Sequence, residues 1–195
     1  MHPNPKRRPT VLFCVACGSG HGIGHLKRCL SLIRESRGGY IPVICVTRGK
    51  PEGAHLEEAG ALGAGMVTVP ADAGHADLVV SDMRDTGARE MDRLLRIAPV
   101  VSLDDLGAGR DRAQITIFSF PSPAPVQANF TGTPYLVLGS IAGCRNPREA
   151  APGPGAGEVV VSFGGSDPHN LADMVTQVLN GMGICPVVIA GPLYR

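Results

Sequence analysis

Chemistry-bearing residues concentrate in one glycine-rich stretch, Gly18-Ser19-Gly20-His21-Gly22-Ile23-Gly24-His25-Leu26-Lys27-Arg28-Cys29. The apolar run Val11-Leu12-Phe13-Cys14-Val15-Ala16 precedes it, and the helical pattern Leu26, Leu30, Leu32, Ile33 follows. A strand therefore runs into a turn, and the turn opens a helix. Glycines let backbone N–H groups approach a ligand closely. A helix N-terminus adds free donors and a partial positive charge, which suits a phosphate or another anion. His25, at the mouth of that helix, can donate or accept a proton near neutral pH. The competing reading is a structural turn in which His25 only caps the helix.

The spacing fits none of the common phosphate or metal frames. Counted from Gly18 and Gly20, the last position of a dinucleotide fingerprint falls on Ile23; counted from Gly20 and Gly22, it falls on His25. Lys27-Arg28 stands in no P-loop frame. His21 and His25 are four apart, as in a zinc helix, but Gly22 occupies the place of the catalytic glutamate. The intervening glycines also disfavour a helix through both histidines. No metal site and no cofactor is expected.

Acidic residues stand where strands should end. Asp82 closes Leu78-Val79-Val80-Ser81, and Asp104-Asp105 close Val100-Val101-Ser102-Leu103. Ligands of open parallel sheets bind outside the carboxyl ends of the strands. His25, Asp82 and Asp105 are therefore the candidate catalytic residues, with Gly22, Gly24 and Asp104 as candidate binding residues. The acids would bind ligand hydroxyls or hold His25 in one tautomer. Asp82 and Asp105 read equally well as caps of the turns that follow them. Downstream, Gly164, Gly165 and Ser166 offer a second nest of N–H groups for a pyrophosphate, or Ser166 simply starts a helix.

Around these residues, strands and helices alternate. Strands are expected at 10–17, 41–47, 66–70, 77–82, 100–104, 115–120 and 135–139, and helices at 24–36, 51–62 and 86–97. Pro51-Glu52 suits a first turn, and Asp85 or Thr86 can cap the third helix. Near-continuous Val/Ile/Leu strands separated by helices indicate an α/β fold, with a doubly wound, mostly parallel sheet covered on both faces. This first domain spans 1–146, and a Pro/Gly-rich linker spans 147–157. A partial second α/β domain, 158–195, follows with strand 158–163, helix 168–182 and strand 186–190, its helix capped by Asp167 and opened by Pro168. One such unit buries too little by itself, so cover from the first domain, from a partner chain or by oligomerisation is expected.

Two motifs carry a family resemblance. Gly22-Ile23-Gly24-His25-Leu26-Lys27-Arg28-Cys29 resembles the G-x-G-H-x-x-R-C signature of the nucleotide-sugar hydrolases of pseudaminic acid biosynthesis and of the spore-coat polysaccharide proteins similar to them. Val159-Val160-Val161-Ser162-Phe163-Gly164-Gly165-Ser166-Asp167-Pro168-His169-Asn170-Leu171 resembles the strand, Gly-Gly loop and helix that open the second domain in that group. Both belong to the two-domain glycosyltransferase B superfamily. The resemblance implies a UDP-sugar-processing enzyme of surface polysaccharide or nonulosonic acid biosynthesis that hydrolyses or transfers the glycosyl group with loss of UDP. It adds Arg28 and Asn170 to the candidate substrate contacts. The chain departs from the family around Ser81-Asp82-Met83-Arg84-Asp85-Thr86, where relatives carry an aromatic soon after the acid, and at Ser140-Ile141-Ala142-Gly143-Cys144-Arg145. The alternatives are a truncated, non-catalytic nucleotide-sugar-binding remnant and one subunit of a two-chain glycosyltransferase.

Composition narrows the classes further. A net charge of +1 over 195 residues gives no general attraction to nucleic acid or to a membrane surface. Hydrophobic residues at 44% and charged residues at 18% argue against disorder. No apolar run approaches a membrane span, and residues 1–10 lack a signal-peptide core, so a cytoplasmic protein without stable membrane insertion is expected. The six cysteines read as buried free thiols; Cys14 and Cys17 form C-x-x-C, with no second pair to complete a zinc site.

Overall fold

The computed structural model describes residues 7–18, 20–36, 38–120, 127–137, 159–164, 167 and 169–191. Seven parallel strands form one sheet in the order β3-β2-β1-β4-β5-β6-β7. In chain order these are β1 Thr10–Cys17, β2 Ile41–Gly49, β3 Gly65–Val67, β4 Leu78–Asp82, β5 Val100–Leu103, β6 Ile115–Phe118 and β7 Phe130–Thr131. Helices α1 Gly24–Glu35, α2 Gly53–Ala61 and α3 Ala88–Leu95 connect the earlier strands. The architecture is the doubly wound parallel α/β fold expected from the alternation of elements.

Every residue of β1 is buried, because helices cover both faces of this central strand. Val11, Phe13, Val15 and Cys17 point to one face, where they meet Leu26, Cys29, Leu30 and Ile33 of α1 and Ala59 of α2. Leu12 and Cys14 point to the other, packed with Val79, Val100 and Met91 and Leu94 of α3. Burying a leucine such as Leu26 or Leu30 contributes about 1.5–3 kcal/mol, so α1 is held firmly where it leaves the glycine turn. The strand's two-residue period also separates Cys14 from Cys17. They lie in opposite cores, which removes them as a thiol pair.

Several elements differ from the sequence expectation. The seventh strand is Phe130–Thr131, paired with β6, rather than 135–139. Gly132, at φ 99°, donates its N–H to the Phe118 carbonyl, and Pro134 lies in a short 3-10 turn over Thr133–Tyr135. Residues 138–139 lie outside the described residues, as does the whole 147–157 linker. Helix α3 begins at Ala88, with Gly87 as a cap lacking any side-chain bond. Asp85 is drawn to Arg48 instead, at 2.6 Å, and the Thr86 N–H is taken by Asp105.

After residue 158, β8 Val160–Val161 and β9 Val187–Val188 pair in parallel as a separate two-stranded sheet joined through α4 Leu171–Gly181. The helix starts three residues later than expected because Asn170 is left-handed, at φ 52°. Asp167 still caps it from outside, accepting the Leu171 N–H at 2.9 Å and the Ala172 N–H at 2.7 Å. Met174 and Val178 on α4 and Met182 at its C-terminal cap, spaced four residues apart, are all more than half exposed. Among the described residues, no helix is long and apolar enough to cross a membrane.

Candidate functional site

The strand order reverses between β1 and β4, and that reversal builds the site. β2 and β3 lie on one side of β1, while β4, β5 and β6 continue on the other. At such a switch point the connections diverge and leave a crevice beyond the carboxyl ends of the strands. The turn after β1, the last residue of β4 and the first residue after β5 all face this end.

The turn is closed on itself. Gly18 and Gly22 exchange backbone hydrogen bonds of 2.8 and 2.7 Å, and His21 donates to the Gly18 carbonyl at 3.0 Å. Gly22 has φ 73°, a conformation that disfavours a side chain. A Cβ at Gly24 would meet no atom within 4 Å, so the first turn of α1 stands open to the crevice. Helix α1 has no side-chain cap, which leaves its first N–H groups without that partner.

His25 lies in this first turn and reaches Asp82, with Nδ1 2.7 Å from Oδ1. Asp82 is 1% exposed. A carboxylate only accepts, so Nδ1 carries the proton and Nε2 becomes the free acceptor of the neutral ring. Arg28, one turn further along α1, donates through Nε to Asp82 Oδ2 at 2.6 Å and through a terminal nitrogen to Oδ1. Its other terminal nitrogen pairs with Asp104. Burial pushes the guanidinium towards losing its proton, but the hydrogen bonds and charges of Asp82 and Asp104 outweigh that and raise its pKa.

Asp104 sits at φ 47°, a left-handed conformation unusual outside glycine. It is held there by the Ser119 N–H at 2.6 Å and the Ser119 hydroxyl at 2.8 Å, which tie the end of β5 to the end of β6. Two carboxylates around one guanidinium leave one net negative charge beneath the imidazole.

The sequence candidates thus separate into different jobs. His25 and Asp82 come together as a pair, and Asp82 is not a turn cap. Asp105 does hold a turn: its Oδ1 accepts the Thr86 N–H at 2.9 Å and the Gly107 N–H at 2.8 Å. At 3% exposure it faces the loop rather than the crevice. Arg28 and Asp104, expected as substrate contacts, spend their polar atoms on each other, on Asp82 and on Ser119. Gly22 and Gly24 line a cleft of about 430 Å³ with Gly20, His21 and Arg84, reaching Phe163, Asp167 and His169. Gly164, at φ 81°, and Asn170 precede α4 but do not line that cleft. Gly165 and Ser166 lie outside the described residues.

A second cleft, about 260 Å³, holds His25 itself with Ala16, His21, Arg48, Arg84 and Leu106. Ser119, Arg48 and Arg84 were missed in the sequence. Ser119 belongs to no motif, and only the fold brings Arg48 and Arg84 beside His25. Among the described residues, no group of three or more His, Cys, Asp or Glu side chains could hold a metal ion. Comparison with protein-family models, curated proteins and solved structures finds no match for this chain.

Proposed function

We propose that this protein processes a UDP-sugar of surface polysaccharide or nonulosonic acid biosynthesis, breaking the bond between the anomeric carbon and the diphosphate. The observation that carries this reading is the 2.7 Å His25–Asp82 pair, set beside the uncapped start of α1 at the switch point of the sheet. The uncapped start of α1 suits the diphosphate through N–H donors and the helix dipole. His25 then faces the sugar end of the bond from the adjoining cleft.

In hydrolysis, His25 Nε2 accepts a proton from water as the water oxygen bonds to the anomeric carbon. The bond from that carbon to the diphosphate oxygen breaks, and its electron pair leaves with UDP. Asp82 keeps Nδ1 protonated and offsets the positive charge that His25 acquires. In transfer, an acceptor hydroxyl takes the place of water and the same proton moves. Arg28, Asp104 and Ser119 fix Asp82 in position and do not touch substrate.

The test is UDP release from a panel of UDP-sugars, with and without added glycosyl acceptors, together with calorimetric titration of UDP. Binding of UDP and release of UDP from at least one sugar support the reading. Release that needs an acceptor makes the protein a transferase, and release into water makes it a hydrolase. Binding without release leaves a nucleotide-binding protein, and no binding of UDP overturns the reading.

A further inference from the structure

The two clefts meet along a boundary that includes Gly20, His21 and Arg84, which line both. Arg84 follows Asp82 by two residues, just after β4 ends. Its main chain is anchored, since its carbonyl accepts the Leu106 N–H at 2.8 Å. Its side chain is exposed and, among the described residues, has no hydrogen-bond or ion-pair partner.

The neighbouring charges are already committed. Arg28 is shared by Asp82 and Asp104. Arg48 is held by Asp85 and Glu90, each at 2.6 Å. Asp167, on the far wall of the larger cleft, spends both oxygens on the start of α4. Arg84 is therefore the arginine of these clefts whose charge is left for a ligand.

We propose that Arg84 is the anion-holding residue of this site, gripping a diphosphate at the boundary between the two clefts, with His21 beside it. The proposal rests on the nucleotide-sugar reading for what carries the diphosphate, but not for the anion itself. A guanidinium presents paired N–H donors that match two phosphate oxygens. Its place between the glycine turn and His25 is where negative charge grows on the leaving oxygen as the bond to the sugar breaks. A fixed cation there binds the transition state more tightly than the substrate.

The test titrates inorganic pyrophosphate and UDP separately into the wild type, Arg84→Gln, Arg84→Lys and Arg96→Gln at fixed ionic strength. Arg96 is an exposed arginine at the end of α3, shortly before β5 begins, and reports general electrostatics. Arg84→Gln is expected to weaken both ligands by about 10- to 100-fold, the loss of a charge-assisted hydrogen-bond pair. Arg84→Lys should recover part of that loss, and Arg96→Gln should bind as the wild type does. Pyrophosphate lost with Arg84 while UDP binds no more tightly than pyrophosphate supports the anion site and counts against the nucleotide reading. UDP bound equally by wild type and Arg84→Gln overturns the proposal and leaves the nucleotide reading standing. An equal loss in Arg96→Gln, or no binding of either ligand by the wild type, overturns it as well.

Discussion

Replacing Asp82 with asparagine keeps the size of the side chain and removes its charge where three donors converge. In the native protein its carboxylate takes the His25 Nδ1–H at 2.7 Å, the Arg28 Nε–H at 2.6 Å and one further Arg28 donor. An asparagine keeps one acceptor oxygen and turns an NH2 group towards the other donors, so at least one of them loses its partner. Stranding a buried charge outright costs about 3–5 kcal/mol. Arg28 keeps Asp104, so the expected loss is smaller, about 2–3 kcal/mol. For a chain of this length that lowers Tm by about 5–10 °C. Turnover should fall further than stability. The Nδ1 proton is no longer held in place, and the imidazolium loses its counter-charge, together worth about 10²–10⁴ in kcat. His25→Gln should cost a similar factor while leaving UDP affinity and folding nearly intact. If Asp82 acts through His25, the double variant is no slower than His25→Gln alone. Initial rates of UDP release at saturating UDP-sugar, thermal unfolding in the same buffer and the His25 ring tautomer by 15N NMR together check this. Wild-type turnover in Asp82→Asn, or losses that multiply in the double variant, would refute the pairing.

Gly49 has φ 83°, and a Cβ there would stand 1.6 Å from the Cys17 carbonyl oxygen, so Gly49→Ala should cost more than about 2 kcal/mol and show as a lower denaturation midpoint. Four thiols, Cys14, Cys17, Cys29 and Cys45, are buried, whereas Cys185 is exposed. The hydrogen bond with Cys45, then burial, pushes the Cys14 thiol up, and burial does the same to Cys29. Mass mapping after brief maleimide treatment of the native protein should find Cys185 labelled and those four protected until denaturant is added. Glu58 is held below the usual glutamate range, first by its hydrogen bond to Lys27 at 2.7 Å, against the opposing effect of burial and with further help from the Arg34 hydrogen bond and both positive charges. A lowered folded value stabilises the protein above the ordinary glutamate pKa of about 4.3, and that contribution is lost as pH falls through the folded value. The pair is partly exposed, so Glu58→Gln should cost less than about 1 kcal/mol at pH 7, with the difference from wild type vanishing in acid unfolding titrations.

Local order was legible wherever apolar spacing and glycine placement agreed. β1 occupies the residues expected of it, and α1 begins at Gly24, where the turn releases the chain. Legibility failed where a side chain found a distant partner. Thr86 and Asp85 look like caps for α3, but Asp105 takes the Thr86 N–H and Arg48 takes the Asp85 carboxylate. Asn170 breaks helical continuation through a backbone angle that its residue type permits but does not require. The strand placed at 135–139 was drawn by apolar residues, whereas pairing with β6 goes to the short segment Phe130–Thr131 ahead of it.

The sequence by itself determined the alternation of strands and helices, the two buried faces of the sheet and the presence of a histidine at an open helix start. These follow from periodicity and glycine chemistry, which act over a few residues. Only the tertiary structure decided that β4, rather than β2 alone, lies beside β1. That adjacency carries Asp82 to His25 across 57 residues of chain and separates it in role from Asp105. It also turned Arg28 from a ligand contact into the bridge between the buried Asp82 and the partly buried Asp104, and left Arg84 as the free cation of the described clefts. Strand order is a property of how whole layers pack, so no local pattern of residue types could have specified those meetings.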